Sequence, residues 1–203
     1  MSGKILSIRG LNTLMFKDPY AKLCFTTHLV SQYEKVIYFD LDTAFTAYLN
    51  ARLVKIKNVE IYLPSDNRLV PMLNEVLESM AASSLVIFDS VNSFYNLFGV
   101  RRKISSLNHL LSVLLMLLVR RGMDEKVPVL VTSMLRYRKD GGWVESPASR
   151  RFLHRKSASK LSVERIERDI EIVVERHESI PPCTHFVYKD ILITIQHLSG
   201  RAK

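Results

Sequence analysis

The sequence is short of several things, and each shortage narrows what the protein can be. It has only two cysteines, Cys24 and Cys183, which make neither a disulfide framework nor a metal-ligand spacing. A reduced, cytoplasmic setting is expected. The six histidines (His28, His109, His154, His177, His185 and His197) show no ligand pair such as H-x-x-x-H, so no metal site is expected. No apolar run is long enough to cross a bilayer; the longest candidate, 107–119, is interrupted by Asn108, His109 and Ser112. Near the N-terminus Lys4 is not followed by the apolar stretch and small-residue cleavage site of a secretory signal, so no membrane partner is expected. Ser90 and Ser133 have no base partner in sight, which leaves no nucleophile to propose. Glycine and tryptophan are also scarce, at seven and one, and both scarcities bear on function.

What is present is a chain of 203 residues, 47% of them apolar, enough for one domain over 1–203 with a sizeable core. Its net charge of +9 is unevenly placed. Residues 1–100 hold 9 Lys+Arg and 9 Asp+Glu, whereas 101–203 hold 20 and 11. All of the excess lies in the second half, as suits a polyanionic partner, usually nucleic acid. A basic protein with no such partner has the same composition.

Short apolar runs alternate with helical patterns. Lys4–Arg9, Val36–Phe39, Asn58–Leu63, Leu85–Phe88 and Val127–Thr132 read as strands. Tyr20–Tyr33, Asn67–Met80 and Ser105–Arg121 carry apolar residues at three-and-four spacing and read as helices. The alternation predicts an α/β fold with a mostly parallel sheet covered on both faces. Leu161–Arg165, Asp169–Arg176, His185–Lys189 and Ile191–Gln196 leave no room for helices between them and predict antiparallel strands at one edge. Residues 134–160 read as one long irregular loop.

In open α/β sheets ligands collect at the carboxyl ends of strands. Two predicted strands end in acids: Val36-Ile37-Tyr38-Phe39-Asp40-Leu41-Asp42 and Leu85-Val86-Ile87-Phe88-Asp89. Such an aspartate can hold a magnesium ion, and a neighbouring carboxylate can orient water. Each also suits a helix cap, the commoner use of a lone strand-end aspartate.

The order and spacing of these segments resemble the RecA superfamily, and within it the archaeal RadA and RadB recombinases. YFDLDTAF places Asp42 at the position of the family's catalytic glutamate, shorter by one methylene, about 1.5 Å. LVIFDSV resembles the Walker B strand, with Asp89 at its magnesium-site aspartate. VPVLVTSMLR resembles the strand entering the second DNA-binding loop, and Glu175–Pro182 with HFVYKDILI resembles the closing strands. The resemblance implies a RecA-like core over almost the whole chain.

One part departs from it. A phosphate-binding loop needs G-x-x-x-x-G-K-[ST], its glycines letting backbone N–H groups approach the phosphates. The region Arg9–Tyr20 has one glycine, its Lys17 is followed by Asp18, and Met15 and Phe16 fall where the second glycine belongs. ATP binding and hydrolysis are therefore expected to be lost, leaving Lys17, Asp42 and Asp89 as vestigial positions. No cofactor is expected; ATP with magnesium enters only if a divergent loop still binds through Lys17 or Lys22.

The basic stretch is the strongest positive signal. Arg136, Arg138, Lys139, Arg150, Arg151, Arg155 and Lys156 surround Trp143, the only tryptophan. Cations that track phosphates beside an aromatic on which bases stack suit single-stranded nucleic acid. In the resemblance this is the second DNA-binding loop, and Arg101, Arg102 and Lys103 form the first. A solvated charge run with Trp143 packed back on the domain is the plainer possibility. The expected function is a DNA-binding accessory protein of recombination or repair, a RadA paralogue acting on single-stranded DNA by binding and scaffolding, either self-associated or beside a RadA-type recombinase. The alternatives are a divergent DNA-dependent ATPase and a KaiC-like scaffold that binds protein and no DNA.

Overall fold

Apolar strands without alternation must be covered on both faces, and the chain supplies helices to both. The computed structural model describes residues 5–65, 67–99, 102–145, 153 and 157–189. Its elements are β1 (Leu11–Phe16), α1 (Pro19–Val30), β2 (Val36–Asp40), α2 (Ala44–Asn50), β3 (Val59–Tyr62), α3 (Leu69–Ser79), β4 (Leu85–Asp89), α4 (Val91–Phe98), α5 (Ile104–Glu125), β5 (Val129–Arg138), β6 (Gly142–Glu145), β7 (Ser157–Ile166), β8 (Asp169–Arg176) and β9 (Thr184–Lys189). One nine-stranded sheet runs β3-β2-β4-β5-β1-β7-β8-β9, with β6 attached to β5 alone. Neighbours from β3 across to β7 are parallel. β8 and β9 close the edge in antiparallel fashion, as the loss of helical spacing in the tail predicts.

The period of two sorts each strand between two cores. Val36 and Tyr38 of β2 join Leu85 and Ile87 of β4 under α1 and α2, with Phe25, Leu29 and Phe45. Ile37, Phe39, Val86 and Phe88 face the other way, onto α3, α4 and α5, with Val76, Phe94, Leu111 and Leu118. This is the layered α/β architecture expected.

Three expectations need correction. The first strand is Leu11–Phe16; residues 5–10 only bend toward it. Asn12 and Thr13 make this segment look like a loop, yet both are buried and satisfied by hydrogen bonds. The Asn12 amide donates to Val129 O at 3.0 Å and to Ser7 O at 2.8 Å. The Thr13 hydroxyl reaches Ser157 Oγ at 3.1 Å. Second, the region 134–160 is not one loop. β5 continues to Arg138 and turns back as β6, and β7 begins at Ser157. Third, α2 and α4 were not expected; each is under three turns, too short to display a period. The strand expected at Ile191–Gln196 lies outside the described residues.

Gly122 fixes how closely α5 approaches the sheet. A Cβ there would sit 2.6 Å from Val127 O and 2.8 Å from Val129 Cγ2. Gly122→Ala therefore destabilises the fold by about 1–3 kcal/mol, against a gain of about 1 kcal/mol in helix propensity. Thermal unfolding checks this; a melting temperature at or above that of the parent would refute it.

Candidate functional site

The carboxyl ends of β2 and β4 bring three acids together. Asp40, Asp42 and Asp89 offer carboxylate oxygens that all lie within 4.8 Å of one another. Each arrives for a local reason. Asp40 and Asp89 are paired strand ends in register. Asp42 accepts from Ala44 N at 3.1 Å across Thr43, a β-branched residue held at φ 60, where side chains are disfavoured. That kink starts α2, so Thr46 N and Thr46 Oγ1 reach back to Asp40 Oδ2 at 2.7 and 2.6 Å.

An ammonium already sits among these acids. Lys22, in the first turns of α1, places Nζ 2.7 Å from Asp89 Oδ2 and 3.5 Å from Asp42 Oδ2, and over the Phe16 ring at 5.3 Å from its centroid. Its side chain is 3% exposed and that of Asp89 is 0% exposed. Asp89 is further held by the Tyr38 hydroxyl, which donates to Oδ2 at 2.6 Å, and by the Thr132 hydroxyl, which donates to Oδ1. Burial works against the charge on Lys22, but the attraction of Asp89, Asp42 and Asp40 outweighs it and raises its pKa. The Tyr38 phenol is pushed well up by burial and by Asp89, so it stays a donor.

The connection from β1 to α1 is only Lys17 and Asp18. Asp18 is the N-cap of α1, accepting from Tyr20 N at 2.9 Å, and Pro19 at the first helical position has no N–H to offer. The place where a helix N-terminus would receive an anion is filled by the chain's own carboxylate. Lys17 turns away and pairs with Glu164 of β7 at 2.6 Å. Of the two lysines considered from the sequence, Lys22 is the one on the acids.

The basic stretch is built differently. β5 pairs with β1 only as far as Met134, and beyond it Leu135–Arg138 pairs with β6 alone. The result is a hairpin that leaves the sheet at the carboxyl end of β5, with Lys139 at its turn. Alternation puts Arg136 and Arg138 on one face of the ribbon and Tyr137 on the other, opposite Trp143. Tyr137 and Trp143 are 65% and 46% exposed, their rings edge to face with centroids 5.6 Å apart. Trp143 is thus not packed back on the domain. Arg102 and Lys103 lie between α4 and α5, the Arg102 guanidinium over the Phe98 ring at 5.8 Å. Arg101, Arg150, Arg151, Arg155 and Lys156 lie outside the described residues.

Sequence reasoning read Asp40 as a strand-end acid without making it a site residue, and it missed Tyr38, Thr132 and Tyr137. Asp40 stands in the same F-D-L-D run as Asp42, and Tyr137 between two arginines, so both were legible. Tyr38 and Thr132 reach Asp89 only through strand register.

The structure superposes on the crystal structure of the RadB recombinase with a TM-score of 0.64, over 91% of this chain and 88% of that one, at 15% identity. The fold is that of a RecA-type core. No protein-family model matches the sequence, and no curated protein does either.

Asp40 and Lys22 each give a test. Among the described residues Asp40 Oδ1 is buried with no hydrogen-bond partner, and burial pushes the carboxyl up to about 6, the Thr46 hydrogen bonds opposing and the Asp42 charge adding to the rise. The unfolded chain releases this proton near pH ~4, so the folded state binds it more tightly. Stability from this group therefore falls as pH rises from about 4 to about 6 and is level above. Asp40→Asn keeps the acceptor for Thr46 and removes that slope. In urea unfolding it gains about 1–2 kcal/mol over the parent near pH 7.5 and little near pH 4; an equal effect at both would contradict the assignment. Lys22→Met strands the Asp89 charge and costs about 3–5 kcal/mol in the same measurement.

Proposed function

We propose that the protein is a DNA-binding accessory factor of recombination or repair that works without a nucleotide. The observation that carries this reading is the projecting hairpin: two exposed aromatic rings on one face, two arginines on the other, and a lysine at the tip. Bases have a π-face that stacks on such rings without regard to sequence, and the cations follow the backbone, which favours single strands over duplex. The likeness to a recombinase fold supports the process in which this binding is used. A RadA-type recombinase is the protein partner that this role implies.

Three features support the loss of nucleotide. A triphosphate needs backbone donors, and Asp18 already takes the first N–H of α1 while adding a negative charge. It needs a free lysine, and Lys22 is engaged with Asp89 and Asp42. Its metal ion needs the carboxylates that the same ammonium occupies. These residues do not fit ATP with magnesium.

The test is fluorescence anisotropy on a labelled single-stranded oligonucleotide across a salt series, with and without Mg-ATP. Binding is expected to weaken steeply with salt and to be indifferent to ATP. Arg136→Ala, Arg138→Ala and Lys139→Ala together should lower the slope of log K against log salt by about 2. Trp143→Ala should weaken binding by about 1–3 kcal/mol and leave the slope unchanged. Binding that requires ATP would make the protein a divergent ATPase. No binding at moderate salt would make it a protein scaffold.

A further inference from the structure

α5 is both too apolar and too exposed to be only a cover for the sheet. Over its most apolar stretch the mean hydropathy reaches 1.3, yet only 28% of that stretch is buried. Its inner residues, Leu107, Leu111, Leu114 and Leu118, are in the core. Outside, Leu110 and Val113 are half-buried, and Leu117 and Met116 are exposed.

The N-terminal end of α5 carries charges opposed to its dipole, and so does its last turn, ahead of a lysine C-cap. A helix favours acids in its first turn and bases in its last. α5 has no acid in its first turn and no base in its last; Lys103 is its N-cap, preceded by Arg102, and Asp124 and Glu125 close it, followed by Lys126 at the C-cap. Arg120 and Arg121 hold these acids at 3.6 and 3.0 Å as i,i+4 pairs. That order, base before acid, is the weaker one. The Arg120 and Asp124 side chains are largely in solvent, where such a pair contributes little.

Lys103, Ser106, Leu110, Val113, Leu117, Arg120 and Asp124 follow one another at alternating steps of three and four, the spacing of a single helix–helix seam. This seam is close to its own mirror. Reversing the helix about its midpoint exchanges Lys103 with Asp124 and Leu110 with Leu117, and leaves Val113 beside the centre. A self-complementary patch of this kind is what a twofold interface requires.

We propose that the outer face of α5 is a homodimer interface, on which α5 of a second copy lies antiparallel, Leu110 against Leu117 and Lys103 against Asp124. The arrangement covers the apolar stripe and sets each helix dipole against its opposite. It also gives Lys103 and Asp124 partners of the other sign. A lipid surface would cover the stripe but would offer nothing to Asp124 and Glu125.

The test is sedimentation velocity on the full chain without nucleic acid, so its outcome is separate from the DNA reading. A concentration-dependent dimer is expected. Leu117→Arg should make the protein monomeric with an unchanged circular dichroism spectrum. Lys103→Glu and Asp124→Lys should each raise the dimer Kd about tenfold, and the two together should restore it. Within one α5 these residues are about 31 Å apart, so only contact between copies can produce the rescue. A wild-type monomer at the highest soluble concentration would overturn the proposal, as would a double variant no tighter than the singles. Monomer that floats with neutral phosphatidylcholine vesicles would overturn it in favour of a lipid surface.

Discussion

The buried ion pair between Lys22 and Asp89 is the constraint around which this end of the fold is arranged. Two charges withdrawn from water are tolerable only when each is well partnered. Asp89 has the ammonium, the Tyr38 phenol and the Thr132 hydroxyl; Lys22 has Asp89, Asp42 and the face of Phe16. These partners come from α1, β1, β2, β4 and β5 and the turn after β2. A single electrostatic knot therefore fixes the mutual heights of four adjacent strands and the first turns of the helix that covers them. The sheet's strand order, with β2, β4, β5 and β1 side by side, is what makes the knot possible.

The same knot reaches the hairpin. Thr132 is two residues before Met134, where β5 leaves β1. On the far side of Asp89, Ser90 caps α4, whose Asn92 side chain accepts from Met134 N at 2.7 Å. The root of the hairpin is thus tied to Asp89 twice, through Thr132 in its own strand and through the first turn of α4. Both ties run through the chain's own side chains, and Asp89 itself is paired with Lys22. On the function proposed above, a ribbon on such a base would give up little conformational freedom on binding.

Legibility in the sequence followed the range of the interactions. β2 and β4 could be read directly, because a parallel strand buried on both faces is a continuous apolar run. The acids that end them could be read too. β1 could not, since Asn12 and Thr13 are polar and their partners lie on β5 and β7, over a hundred residues away in sequence. The role of Lys22 was equally hidden. A lysine in a helix ordinarily faces water, and nothing local marks this one as buried; α1 is enclosed on nearly every side by the sheet and the closing strands. The hairpin was legible in its residues and illegible in its shape: R-Y-R-K and Trp143 announced cations and an aromatic, but the alternation that puts Tyr137 beside Trp143 exists only once β5 is known to run on past the sheet.

The placement of charge then separates the two halves of the chain by task. In residues 1–100 acids and bases balance, and the chain spends them on itself: Lys22 with Asp89 and Asp42, Lys17 with Glu164, Asp18 on the helix N-terminus. The excess of cations begins after residue 100, and on the hairpin it is turned outward, with Arg136, Arg138 and Lys139 all exposed. The Lys22 ammonium offsets part of the charge of the inner acids, whereas the hairpin cations face outward, where salt screens their field.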